Sequence, residues 1–242
     1  MGKRIAVTVA ILMIFSMAGA QGLTLDKILA RHFKAMGHEK LGKIHTIVMT
    51  GTIVQQDAMP VKIIRMRPDK YLMESDIQDI TVYQGYDGQT AWWTTPWTGN
   101  PKPQPMPDDR ARELRGRADF DGLLYNWKTK GHAAELISVD TVEKTMAYQV
   151  KITKKDGGVE FLFIDTASFV IQKRMYDRMV RGKEVTMEIY FRDYRMVQGC
   201  MFPFTQETYV GGQPYNSIQF DSIELNKPVD GQVFRMQSQN AK

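Results

Sequence analysis

Hydrophobic and polar positions along this chain follow first one period and then another. Near the start, Leu25, Ile28, Leu29, His32, Phe33 and Met36 recur at the spacing of one helix face. Thr24 stands where an N-cap belongs, and Gly37 supplies the stop. Beyond Ile44 the period falls to two. In "VTMEIYFRDYRM", Val185, Met187, Ile189 and Phe191 point one way, while Thr186, Glu188, Tyr190 and Arg192 point the other. Met146, Tyr148, Val150 and Ile152 alternate as cleanly with Ala147, Gln149, Lys151 and Thr153. One buried and one wet face mark antiparallel sheet. Glycines at Asp87-Gly88, Asp156-Gly157-Gly158, Arg181-Gly182-Lys183 and Gly211-Gly212 supply hairpin turns between such runs. The pattern predicts roughly ten or eleven strands between Ile44 and Leu225. No repeat of solenoid or propeller length interrupts it.

The alternation breaks after Trp93. "GQTAWWTTPWTGNPKPQPMPDD" holds three of the four tryptophans, Trp92, Trp93 and Trp97, and five of the ten prolines. Pro107, Asp108 and Asp109 then open a second helix, since proline needs no amide partner there and carboxylates favour the positive helix end. Its apolar stripe is thin, only Ala111, Leu114 and Ala118, with Gly116 weakening it further. Such a helix reads as a loosely held surface cover.

A first helix about 20 Å long cannot cover the apolar face of so many strands. The expected fold is therefore α+β: a large curved antiparallel sheet, an unclosed β-barrel, wrapped around the amphipathic helix with a helix and loop as lid. Residues 1–20 are expected as a signal peptide and 21–242 as one domain. Residues 99–121 form its proline-rich loop and lid-helix insertion.

Lys3 and Arg4 precede the apolar run Ile5–Met17, and Ala18-Gly19-Ala20 places small residues where a signal peptidase reads them. Cleavage before Gln21 and a periplasmic, soluble product follow, with no cysteine at the cut to be lipidated. Losing Lys3 and Arg4 lowers the formal charge from +5 to +3, which excludes a strongly basic nucleic-acid binder. Cys200 is the only cysteine, so no intramolecular disulfide forms, and its neighbours Met201, Phe202 and Phe204 place it in a core.

The motifs of catalysis are missing. There is no G-x-S-x-G elbow, no C-x-x-C, no H-E-x-x-H and no phosphate-cradling loop. "DFDG" at Asp119–Gly122 matches part of a calcium loop but lacks the third acidic ligand and the closing glutamate. His32 sits on a helix stripe, with His38 and His45 at spacings unsuited to a metal, and reads as a packing residue. No catalytic residue, metal or cofactor is expected. Thirteen of the sixteen methionines remain after export, and flexible thioethers suit an apolar binding surface as well as a core.

The segments "ILARHFKAMGHEKLGKIHTIVMTGTI", "YDGQTAWW", "FIDTASFVIQKR", "DYRMVQGCMFPF" and "IELNKPVDGQVFRM", in this order, resemble the outer-membrane lipoprotein-sorting proteins, the LolA-like periplasmic carriers. The resemblance spans Leu23 to Met236. It implies an unclosed barrel with an apolar concave face, and a ligand that is an acylated lipoprotein or other lipid. It also implies an inner-membrane donor and an outer-membrane acceptor as partners. The missing acylated cysteine separates this chain from the lipoprotein acceptors of that system and favours the carrier role.

These readings converge on a monomeric carrier binding acyl chains in an apolar cavity for transfer towards the outer membrane. Trp92, Trp93, Trp97, Leu114, Met187, Ile189 and Phe191 are the candidate cavity and mouth residues. Trp92 and Trp93 are adjacent on a strand, so only one of them can face the cavity. Arg110 and Arg115, with Arg112 and Arg117 beside them, are candidates for an anionic rim. Two rivals stand beside this reading: a lipid sensor acting through a protein partner, and a carbohydrate-binding module stacking sugars on the tryptophans.

Overall fold

The computed structural model describes residues 23–78, 80–180 and 182–236. The expected signal peptide lies outside these residues. After α1 (Leu25–Ala35) and the short α2 (His38–Leu41) come β1 (Thr46–Val54), β2 (Ala58–Met66), β3 (Lys70–Ile77), β4 (Ile80–Tyr86) and β5 (Ala91–Thr95). A 3-10 turn at Pro96–Thr98 leads to β6 (Asn100–Pro105), and α3 (Asp108–Ala118) follows. The rest is a meander: β7 (Ala133–Val142), β8 (Thr145–Thr153), β9 (Val159–Asp165), β10 (Ile171–Val180), β11 (Lys183–Val197), β12 (Cys200–Val210) and β13 (Gln213–Leu225). A 3-10 turn at Gly231–Phe234 closes the described chain.

All thirteen strands join one antiparallel sheet in the order β6-β5-β4-β3-β2-β1-β13-β12-β11-β10-β9-β8-β7. The two edges, β6 and β7, do not pair with each other, so the barrel is unclosed. Sequence neighbours pair from β1 to β6 and from β7 to β13, and β1 meets β13 to join the two halves. Strand count exceeds the sequence expectation because the proline-rich stretch, expected as loop, is largely β6. Pro101, Pro103 and Pro105 offer no amide to a ladder, and an edge strand is the place where that costs nothing.

α1 ends as its sequence requires. Met36 and Gly37 donate to the His32 and Lys34 carbonyls, and Gly37 takes φ +68°, which suits a residue without Cβ. Thr24 caps through its carbonyl, which accepts from Ile28, while its hydroxyl makes no capping bond. Ile28 and Leu29 pack on Val150, Ile152, Leu162 and Ile164 of β8 and β9. This defines the inner face at the β7 end of the sheet.

Alternation then assigns the rest. Ile47, Met49, Ile63, Tyr71, Tyr86 and Phe220 form the inner core together with Ala111, Leu114 and Ala118 of α3. On the outer face, Val48, Ile64, Leu72, Gly85 and Trp92 stand in one cross-strand row. The C-terminal turn seals that row with Phe234, whose carbonyl accepts a 2.7 Å bond from Trp92 Nε1. The indole lies directly over Gly85, where a Cβ would overlap its six-membered ring and nitrogen. Gly85→Ala should therefore cost about 1–3 kcal/mol as overpacking, and Trp92→Ala about 3–5 kcal/mol as a cavity, both read as urea midpoint shifts at constant slope.

Candidate functional site

Pairing register gives the sheet two unlike ends. The turns after β1, β3, β5, β10 and β12 all lie at one of them, because Val54 pairs Ala58, Ile77 pairs Ile80, Val180 pairs Lys183 and Val210 pairs Gln213. The opposite end is where the helices are tied down. Met201 of β12 donates to the Met36 carbonyl, and Met106 donates to the Ala91 carbonyl. Arg65 donates to the Asp119 carbonyl, and Arg67 holds Asp121 through two bonds of 2.5 and 2.7 Å.

Cover of the inner face is uneven: towards the hairpin end Ile53, Val61 and Thr95 are buried but several apolar neighbours are not. There Met59, Met73, Ile77, Val82 and Trp93 on β2–β5 are only half-buried, as are Val185, Ile189 and Phe191 on β11. The hairpin end also carries a rim of exposed apolar side chains. Val54, Ile80, Trp97, Met179 and Tyr215 each stand at or beside a different turn.

α3 lies against β3, β4 and β5 and reaches across to β10. Its thin stripe is nonetheless fully buried: Ala111, Leu114 and Ala118 all belong to the main core. The expectation of a loosely held cover is corrected on this point. Small side chains let the helix approach the sheet closely, and an ionic contact adds to what they bury. Glu113 accepts from Arg178 Nη1 at 2.8 Å and from the Tyr176 hydroxyl at 3.1 Å, both on β10. It also accepts from Arg117 at 2.7 Å, with Arg110 Nη1 4.0 Å away. Burial alone would raise the Glu113 carboxyl, but the two guanidinia bonded to it hold it down at about 2.

The candidate residues separate accordingly. Trp92, expected with the mouth, is wholly buried on the outer face; the C-terminal segment that covers it supplies the apolar partner that β-alternation alone does not reveal. Trp93 is on the inner face, packed against the core that holds α3. Trp97, 66% exposed, tips the β5–β6 hairpin. Leu114 is buried beneath α3 rather than lining open space. Met187 is buried, and Ile189 and Phe191 continue its row half-buried. Of the rim arginines, Arg110 and Arg117 flank Glu113, Arg112 approaches Asp156 at 3.9 Å, and Arg115 is exposed. The reading of the sequence missed Arg174, Tyr176 and Arg178. Their period-two spacing on β10, one strand from Met187 and Ile189, was the signal that puts them on the inner face.

Several groups with catalytic or metal-binding chemistry are tied into the structure, whereas His38, stacked on Tyr125, keeps a buried Nδ1 without a partner. Asp119 is paired with Lys130 and Asp121 with Arg67. His32 is buried with Nδ1 donating to the Phe169 carbonyl at 2.8 Å, and burial lowers its pKa. Cys200 is wholly buried beside Gly37. Among the described residues no group of three or more His, Cys, Asp or Glu is placed to hold a metal, and no helix is long and apolar enough to cross a membrane.

Neither family models nor characterised proteins match the sequence. The fold, in contrast, has clear counterparts among solved structures. A LolA superfamily protein from Nitrosomonas europaea superposes with TM-score 0.60 at 12% identity, over 88% of this chain and 98% of that one. A DUF1329 family protein from Desulfovibrio piger gives 0.61 at 11% identity, over 87% and 98%. An outer membrane lipoprotein-sorting protein domain from Vibrio parahaemolyticus gives 0.58 at 8% identity, over 85% and 97%. The chain thus has the fold of the LolA superfamily, an unclosed antiparallel barrel with helices on its inner face.

The depressed Glu113 carboxyl makes the α3 contact acid-sensitive. Its stabilisation is complete above the ordinary carboxylate value of 4.5 and is lost as pH falls towards about 2. That shift bounds the contribution at about 3 kcal/mol, less after solvent screening of its partly exposed partners. Glu113→Gln should lower the urea midpoint at pH 7, and the gap from the native chain should close by pH 2.

Proposed function

We propose that this protein is a periplasmic carrier that takes acyl chains of lipoproteins or lipids into the hairpin end of the inner face and passes them towards the outer membrane. The observation that carries the reading is the half-buried apolar surface there, on a sheet whose other end is already packed. A covered apolar face is a core; a face left half-covered is a place for an apolar guest. α3 is the lid in this account, anchored at the tied end and joined to β10 through Glu113. The exposed rim at the turns is the side from which a chain enters. That one solved counterpart is described as a lipoprotein-sorting domain agrees with the reading.

Magnitudes suit a carrier. Each methylene removed from water contributes about 0.8 kcal/mol, so ten bring about 8 kcal/mol, near micromolar affinity. That is tight enough to hold a chain during transit and weak enough to release it.

The test is binding and transfer of a fluorescent fatty-acid probe. The full exported chain should bind it at micromolar concentration and deliver it to acceptor vesicles faster than spontaneous exchange. Binding without accelerated transfer would favour a sensor instead. Trp97→Ala should change the transfer rate severalfold and leave the unfolding temperature in place, since an indole 66% exposed contributes little to the core. Equal loss of stability and transfer would remove Trp97 from the entrance.

A further inference from the structure

We propose that Arg174 and Arg178 of β10, with Arg117 of α3, bind the anionic group of an amphiphile, a phosphate or a carboxylate, whose chain lies along the adjoining inner face of β11. The inference deepens the carrier reading and rests on it for the chain, though not for the arginines.

Charge balance comes first. Glu113 is approached by Arg110, Arg117 and Arg178, and Glu160 by Lys154 and Arg174. With Asp156, which Arg112 and Lys154 both attract, six cations face three carboxylates, a surplus of three; Arg174 and Arg178 are 19% and 20% exposed, and Arg117 40%. Arg117 also lies near enough to Arg174 for the two charges to repel. Like charges crowded together are costly where they are partly withdrawn from water, as at Arg174 and Arg178, and an anion joining them offsets that cost.

Unspent donors are the second observation. Arg67 is fully bonded, through Nε, Nη1 and Nη2, to the Ile44 and Leu41 carbonyls and both oxygens of Asp121, whereas the equally structural Arg65 leaves its Nε unpartnered. Arg192 likewise bonds through all three nitrogens, to Glu143 and Glu207. Arg174, Arg178 and Arg117 each bond a protein carboxylate through one nitrogen only. Arg178 Nε is buried with no partner. A planar fork with free N–H groups fits the paired oxygens of phosphate or carboxylate.

Position is the third. Arg174 pairs across the strands with Ile189, and Arg178 with Val185, on the face where β11 is half-buried. A headgroup at the arginines therefore places its chain against Val185, Ile189 and Phe191 without leaving the inner face.

Calorimetric titration of the full exported chain at pH 7 tests this with four probes: tetradecanoate, tetradecyl phosphate, uncharged glyceryl monotetradecanoate and inorganic phosphate. We expect one or both anionic amphiphiles to bind at least about tenfold more tightly than the uncharged ester, and inorganic phosphate to compete with them. Which anion binds better assigns the source, a fatty acid or a phosphate-bearing lipid. Arg178→Gln and Arg174→Lys should each weaken the anions severalfold and leave the ester unchanged. Equal binding of ester and anions overturns the arginine site while leaving the carrier reading standing. Absence of binding by all three amphiphiles overturns both. The comparison of probes on the native chain needs no variant, so it decides the matter even where a variant fails to fold.

Discussion

A sheet of thirteen strands has a long apolar inner face and a shorter apolar row around Trp92 to keep from water, and the described residues bring to the task only two helices of eleven residues, each about 16 Å long. That shortage of cover shapes the rest of the molecule. The outer row around Trp92 is sealed by the last turn of the described chain rather than by a helix. α1 covers β8 and β9, α3 covers β3 to β5, and both are fixed at the same end. What they leave half-covered is the inner face near the hairpin turns, and the function proposed for this protein is a use for that remainder.

Small side chains and charge do much of the holding that large apolar groups do elsewhere. α3 presents two alanines and one leucine to the core, too little apolar area to dock a helix firmly by itself. Glu113 supplies a second contact by gathering cations from its own helix and from β10. A helix held in this way is easier to release than one set in a wide apolar stripe. That property suits a lid, and Glu113 also draws to α3 Arg178, one of the β10 arginines of the proposed amphiphile site.

The architecture was legible in the sequence because its strongest signals are periodic. Alternation in β8 and β11, the α1 stripe with Gly37 behind it, and the shortage of helix together led to an unclosed antiparallel barrel, the fold observed. β6 was not legible, since its prolines argue against strand everywhere except at an edge, and only the completed sheet shows where the edge falls. The candidate site was legible in part. Adjacent tryptophans were bound to face opposite ways, but the choice between them depended on Phe234, more than 140 residues away in sequence and without local signal. The β10 arginines escaped because a charge on a strand ordinarily marks the solvent face; here Glu113 and Glu160 draw Arg174, Tyr176 and Arg178 inward.

The central claim is that the half-covered part of the inner face holds an apolar guest. Its most direct test is native followed by denaturing mass spectrometry of the protein purified from the cell that makes it. The account predicts a near-stoichiometric acyl-containing species that leaves the protein on denaturation. A chain that emerges empty, and stays empty after incubation with lipid extract, would contradict it.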